Sequence, residues 1–188
     1  MPEALDVAVL VGSLRSGSFT RRLAQALAGI ASPSMKLEVV SLADLAMYNP
    51  DLEASPPASW REFRGRIARA HAVLFATPEY NRSVPGVLKN AIDIGSRPYG
   101  RSVWNAKPAA VISASPGLIG GFGANHHLRQ SLVFLNMPTL QQPEAYISGV
   151  DKAAGENGSF LNESTRDFCS QFLASFEQWI RKQSLQAT

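Results

Sequence analysis

Three short, continuous apolar runs constrain the fold of this 188-residue chain more than any other feature. They lie at residues 7–11, 72–76 and 109–113, and a helical pattern follows each one. A strand without polar alternation is buried on both faces, as a central strand of a parallel sheet is. Parallel strands need crossover connections, which are usually helices and are right-handed. The pattern therefore predicts an α/β fold, a doubly wound sheet with helices on both faces.

Two weaker patterns complete the predicted sheet. Alternation of apolar and polar residues over 37–42 predicts a second strand with one less buried flank. Residues Thr139, Leu140 and Gln141 are interpreted as a short fifth strand at the edge. The chain is long enough for one core and short for two, so a single domain over residues 1–188 is expected.

Charge and composition exclude several classes of protein. The net charge is +3 and the basic residues are scattered, which argues against a nucleic-acid partner. No apolar stretch approaches the roughly 20 residues of a membrane span, and no signal peptide is recognisable, so a cytoplasmic protein without membrane contact is expected. Cys169 is the only cysteine, which excludes an internal disulfide, and its apolar neighbours predict that it packs in the core.

The loop after the first strand, residues 12–20, is rich in glycine and hydroxyl groups and contains Arg15. Backbone N–H groups at the start of the next helix, together with these hydroxyls and the guanidinium, can surround one phosphate. The loop lacks both the Gly-Lys-Ser/Thr ending of a nucleoside-triphosphate loop and the Gly-x-Gly-x-x-Gly of a standard dinucleotide site. A plain glycine-serine turn is the alternative interpretation.

Two further loops, residues 78–86 and 115–123, follow the third and fourth strands. In a doubly wound sheet all three loops meet at the carboxyl ends of the strands, where ligands bind. Tyr80 can lie against a flat apolar ring beside free backbone N–H groups. No metal site is expected, because His126 and His127 are adjacent and point about 100° apart on a helix.

These motifs resemble the NADPH-dependent FMN reductase family of flavodoxin-like proteins, in particular its chromate and quinone reductase branch. The resemblance rests on residues 12–15, 78–81 and 88–93 and extends from about residue 7 to residue 149. It implies a three-layer α/β/α fold with a five-stranded parallel sheet in the order 2-1-3-4-5. It also implies one FMN per subunit, NADPH or NADH as hydride donor, a homodimer or homotetramer, and two-electron reduction of quinones, chromate or flavins. No catalytic side chain is expected, because a flavin would itself supply the hydride acceptor.

The resemblance also implies roles for individual residues. The phosphate role falls on five residues of the first loop, with Phe19 acting through its backbone: Ser13, Arg15, Ser18, Phe19 and Thr20. The isoalloxazine role falls on Pro78, Glu79, Tyr80 and Asn81, with Ser115 and Gly117 at the far edge of the ring. The family usually has Asn where this chain has Thr20, so a hydroxyl replaces a side-chain amide there.

Two non-enzymatic alternatives remain at this point. A flavodoxin-like electron carrier passes single electrons between proteins, and such carriers are usually strongly acidic with a threonine-rich phosphate loop. This chain has neither property. A flavin-binding regulatory module without turnover is the second alternative.

Overall fold

The computed structural model describes residues 4–186, and a five-stranded parallel sheet forms their centre. The strands, which lie in the spatial order β2-β1-β3-β4-β5, are β1 (Leu5–Val11), β2 (Met35–Val40), β3 (Ala72–Thr77), β4 (Ala109–Ser115) and β5 (Ala145–Ser148). The predicted flavodoxin-like order is therefore confirmed. The three continuous apolar runs are the three inner strands, and every residue of β3 is buried.

Helices cover both faces of the sheet. In chain order they are α1 (Phe19–Ile30), α2 (Ala58–Arg69), α3 (Gly86–Ser96), α4 (Phe122–Phe134), α5 (Val150–Ala153) and α6 (Glu163–Gln186), with a 3-10 turn at Pro50–Leu52. One core joins α1, α5 and α6 to one face of the sheet. A second core joins α2, α3 and α4 to the other face. This three-layer arrangement is the one predicted.

The position of the fifth strand differs from the prediction. Thr139 forms only an isolated bridge with Ala109, and the strand that pairs with β4 is β5, with Ala145 opposite Ile112. The β5 strand has only four residues and one of its two buried side chains is an alanine, so it gives a weak apolar pattern. The Thr139 segment instead leads the chain from α4 to the sheet edge.

Cys169 lies in the α6 core with no exposed surface, as predicted, and burial raises the pKa of its thiol to about 12. None of the helices within residues 4–186 is both long and apolar enough to cross a membrane.

Candidate functional site

The three loops meet in a cavity of about 170 Å³ at the carboxyl edge of the sheet. Nine of the eleven predicted site residues line it: Ser13, Arg15, Ser18, Phe19, Thr20, Pro78, Glu79, Tyr80 and Ser115. The other two, Asn81 and Gly117, lie in the same loops but do not line the cavity. Three further residues complete the wall, although no sequence pattern assigned them to the site: Ala114, Pro116 and Val150.

The amino end of α1 supplies unpaired donors to this cavity. A helix leaves its first N–H groups without intrahelical acceptors. Here the Ser18 N–H donates to the Arg15 carbonyl at 3.1 Å, and the Ser18 hydroxyl accepts from the Arg21 N–H at 3.2 Å. The N–H groups of Phe19 and Thr20 have no acceptor within residues 4–186. These two N–H groups are therefore available to an anion at the positive end of the helix dipole.

Side chains around that helix end are also free to bind. Ser13 is 5% exposed and Thr20 is 2% exposed, yet neither hydroxyl hydrogen-bonds to any described residue. The Arg15 guanidinium forms no ion pair in the described part of the chain and lies 5.3 Å from the centre of the Phe19 ring. Every buried side-chain nitrogen or oxygen among the described residues has a hydrogen-bond partner, so these two hydroxyls are open to the cavity. Together with the exposed Arg15 they are free to bind a ligand there.

Arg22 is a residue that the sequence analysis missed. Its guanidinium lies 5.3 Å from the Phe19 ring, as that of Arg15 does, and it donates to Glu156 at 3.0 Å. Phe19 thus contacts two guanidinium groups. The helical position of Arg22, four residues after the cap Ser18, was the available signal for a second cation near the end of α1.

The loop after β3 forms the opposite wall. Tyr80 is half exposed, and Pro78 is partly buried beside it. Residues 80–83 form a tight turn in which Tyr80 and Ser83 exchange two backbone hydrogen bonds of 3.1 and 3.0 Å. The Glu79 carboxylate points away from this wall and accepts from the Ala124 N–H at 3.0 Å. Both carboxylate oxygens of Glu79 are thus already hydrogen-bonded, one to Ala124 and one to Arg82.

The loop after β4 closes the cavity from the third side. The Ser115 hydroxyl accepts a hydrogen bond of 3.0 Å from the Gly117 N–H, which folds the loop back on itself. Behind it, the Asn125 amide donates to Ser113 and to the Ala145 carbonyl, which holds α4 against the β4–β5 edge. Arg129 donates to Asn125 at 2.9 Å, and burial lowers the pKa of its guanidinium.

The two histidines of α4 contact different neighbours. His126 hydrogen-bonds to the Tyr146 hydroxyl at 2.8 Å, and His127 to the Ser83 hydroxyl at 2.8 Å. Burial, reinforced by a hydrogen bond to Glu144, raises the pKa of Tyr146 to about 12. Over residues 4–186, no group of three or more His, Cys, Asp or Glu side chains is placed to hold a metal ion.

The chain matches the sequence profile of a family described as NADPH-dependent FMN reductase over residues 5–152. It belongs to this family. It is also 55% identical to a quinone reductase from Pseudomonas putida over 182 residues, which cover 96% of this chain and 97% of the relative. A 2-hydroxy-1,4-benzoquinone reductase from a Burkholderia species is 43% identical over 178 residues, which cover 95% and 97% of the two chains.

A solved structure supports the same family. The flavoenzyme NAD(P)H:(acceptor) oxidoreductase from Paracoccus denitrificans superimposes with a TM-score of 0.89 at 42% identity, covering 94% of this chain and 97% of that one. The chain is thus an FMN-dependent NAD(P)H oxidoreductase. Family membership favours the enzyme over the electron carrier and the regulatory module.

Proposed function

We propose that the chain reduces quinones with electrons from NAD(P)H, using FMN held in the cavity at the carboxyl edge of the sheet. The observation that carries this proposal is the set of unpartnered donors there: the Ser13 and Thr20 hydroxyls, the Phe19 and Thr20 N–H groups and the Arg15 guanidinium. A dianionic phosphate needs such a set, because one charged hydrogen bond is worth only about 1.5–3 kcal/mol. The quinone acceptor is supported by the relatives named quinone reductase and 2-hydroxy-1,4-benzoquinone reductase.

In this proposal the first loop binds the FMN phosphate and the loops after β3 and β4 hold the ring. Bound FMN supplies the hydride acceptor and the electron donor, so the protein needs no nucleophile or general base. Tyr80 packs against the ring, and the backbone of Pro78, Glu79 and Asn81 faces its edge. Ser115 and Gly117 border the opposite edge. The loop closes around a terminal phosphate, so we expect FAD not to replace FMN.

The cavity is smaller than the roughly 300–1,000 Å³ that ligand pockets usually enclose. One chain therefore surrounds the phosphate end and one edge of the ring, and a ring face stays open. We propose that NAD(P)H and the acceptor use this face in turn, with the oxidised nucleotide leaving before the acceptor enters. Chromate and free flavins are further candidate acceptors, because an open face places few demands on their shape.

Preference for NADPH needs a cation near the open face. Arg82, Arg97 and Arg101 are candidates from the sequence, but α3 lies between the first and the other two, and its 11 residues span about 16 Å. Arg97 also lines a separate cavity with Tyr99 and Phe134. Arg82, which is exposed beside Glu79, is therefore the candidate within the same chain for pairing with the 2′-phosphate.

A homodimer, or a dimer of dimers, would complete the open side of the pocket. Exposed apolar side chains near both ends of α3 support this proposal, namely Tyr80, Tyr99 and Phe134. Light scattering at micromolar concentration should give at least twice the mass of one chain. A mass equal to one chain would contradict the dimer.

The purified protein tests the activity directly. We expect a yellow protein that loses its colour on anaerobic addition of NADPH and regains it when a benzoquinone is added. Initial rates over a grid of NADPH and quinone concentrations should give parallel double-reciprocal lines, with high quinone competing against NADPH. Intersecting lines without such competition would show that both substrates bind together, against the shared face.

A further inference from the structure

The turn at residues 80–83 is held in an unusual backbone conformation. Asn81 has a φ of 52° and Arg82 a φ of 62°. Asparagine adopts such values more readily than most residues, but for arginine they are uncommon. A two-residue turn of this kind joins tightly paired strands, but here no strand follows residue 83. Its conformation therefore needs support from elsewhere in the fold.

Two contacts with α4 provide that support. The Glu79 carboxylate, whose side chain is 11% exposed, accepts from the Ala124 N–H at 3.0 Å with one oxygen and from Arg82 at 3.2 Å with the other. At the far end of the turn, the Ser83 hydroxyl hydrogen-bonds to His127 at 2.8 Å. The turn is thus fixed to the first two turns of α4 at both of its ends.

The packing around Glu79 leaves room for its contact with α4. A Cβ on Gly123 would lie 2.9 Å from a Glu79 carboxylate oxygen and 3.0 Å from the Arg82 carbonyl oxygen. The absence of a side chain at Gly123 is what allows the carboxylate to reach the N–H groups of the first turn of α4. Its negative charge there is also favoured by the helix dipole.

We propose that Glu79 is a positioning residue, whose carboxylate fastens the loop after β3 to α4 and so fixes the backbone that faces the FMN ring. This inference rests on the proposed location of FMN. The carboxylate of Glu79 contacts α4 and Glu79 also lines the cavity, so one residue connects the two. Loss of the carboxylate frees residues 79–81 to move away from the ring.

Titration of apoprotein with FMN tests this proposal. Glu79→Ala should raise the FMN dissociation constant about fivefold to tenfold and shift the visible absorption bands of bound FMN toward those of free FMN. Glu79→Gln keeps an oxygen that can accept from Ala124, so it should restore the bands and most of the affinity. Asp93→Ala is the matched control and should change neither quantity, because it removes a partly exposed carboxylate whose one ion pair among the described residues is with Lys89 on α3.

Gly123→Ala provides an independent test in which the Glu79 side chain itself is not substituted. Its methyl group displaces the Glu79 side chain, so it should reproduce the spectral shift and the loss of affinity. In the double variant with Glu79→Ala, the combined loss should be smaller than the sum of the two single losses, because both variants disturb the contact of Glu79 with Ala124. Any loss beyond that of Glu79→Ala reports the contact of the methyl group with the Arg82 carbonyl oxygen. Melting curves of each apoprotein identify any variant that fails to fold. If Glu79→Ala or Gly123→Ala does not fold, the test relies on the other of these two variants.

The result for Arg15→Ala separates the two proposals. Suppose that Arg15→Ala weakens FMN binding, while Glu79→Ala and Gly123→Ala both have the same FMN affinity and absorption spectrum as the parent. The positioning role of Glu79 is then wrong, but the proposed location of FMN is supported. Equal damage from Glu79→Gln and Glu79→Ala would also overturn the positioning role. If Arg15→Ala has no effect on FMN binding, the proposed location of FMN is wrong and the role of Glu79 falls with it.

Discussion

At the carboxyl edge of the sheet, the hydroxyls of Ser13 and Thr20 are open to a cavity and hydrogen-bond to no described residue. Beneath α2 and α3 the opposite holds: Trp104 has no exposed surface, and its indole N–H donates to the Ile92 carbonyl at 2.9 Å. Phe63 and Phe75 pack on its ring, and we call these three aromatic residues with Gly95 the Trp104 cluster.

The difference separates two kinds of residue. In the Trp104 cluster every contact is already made in the folded chain, so a change there should alter the free energy of unfolding. In the first loop the donors have no hydrogen-bond acceptor among the described residues. A change there should therefore alter the affinity for FMN. The fold can then be weakened without changing the site, and the site without weakening the fold.

The largest expected effect is on stability, from Gly95→Ala. A Cβ at Gly95 would overlap the Trp104 indole, which cannot move because it is fully buried. We expect a loss of about 2–3 kcal/mol in the free energy of unfolding, which is roughly 5–10 °C in the melting temperature. Gly29→Ala in α1 is the control, since nothing lies within 4 Å of its added methyl group. A loss as large in the control would show that packing against Trp104 is not the cause.

Arg15→Ala should produce the reverse pattern. Removing the guanidinium should raise the FMN dissociation constant about tenfold or more, which corresponds to about 1.4 kcal/mol, and leave the melting temperature of the apoprotein unchanged. Arg21→Ala in the first turn of α1 is the control, because its side chain makes no hydrogen bond, ion pair or ring contact with any described residue. Equal affinities for the parent and the Arg15 variant in a fluorescence titration would refute the phosphate assignment.

Ser18 belongs to both categories, because its hydroxyl caps α1 and lines the cavity. Ser18→Ala should cost about 1 kcal/mol of stability through the lost cap. Ser18→Asp keeps an oxygen for the cap but adds a negative charge facing the phosphate, so it should keep the stability and weaken FMN binding. Chemical denaturation and FMN titration of both variants would show whether the two functions can be separated. Parallel changes in both measurements would contradict the separation.

The smallest effect is expected from a polar cluster that already has its partners. Glu177 accepts from Ser32 at 2.6 Å, Ser34 at 2.7 Å and Arg181 at 2.8 Å, and these hydrogen bonds, led by that of Ser32, lower the pKa of its carboxyl group. Its stabilisation is complete above the ordinary glutamate pKa of about 4.3 and is lost as the pH falls through the lowered pKa. Glu177→Gln should cost about 1 kcal/mol or less at pH 7 and leave FMN affinity unchanged. A difference between variant and parent that persists undiminished at pH 2 would contradict the ionic origin.

Prediction from sequence succeeded where a pattern depends on neighbours along the chain. The continuous apolar runs identified β1, β3 and β4 because both faces of those strands are buried. The β5 strand was misplaced because its four residues carry too little periodicity. The alternating residues Thr139, Leu140 and Gln141 instead suggested a strand, but Thr139 forms only an isolated bridge. The hydroxyl-rich phosphate loop could be predicted in the same way, because its glycine and hydroxyl residues are neighbours along the chain.

The rest of the site depends on contacts between distant segments. The carboxylate of Glu79 points to α4 because of the space that Gly123 leaves 44 residues later, and no local pattern encodes that direction. Val150 reaches the cavity through the short α5, which gives no periodic signal. These residues become recognisable only when the sheet brings the loops together.

The burial of Cys169 has a chemical consequence for an enzyme of this kind. Quinones are electrophiles that add to thiolates, and the thiolate rather than the thiol is the reactive form. The chain carries one sulfhydryl group, which lies inside the α6 core with a pKa of about 12. At neutral pH the folded chain therefore presents no nucleophilic sulfur at its surface. Under the proposed quinone activity, this removes the thiol as a site of arylation.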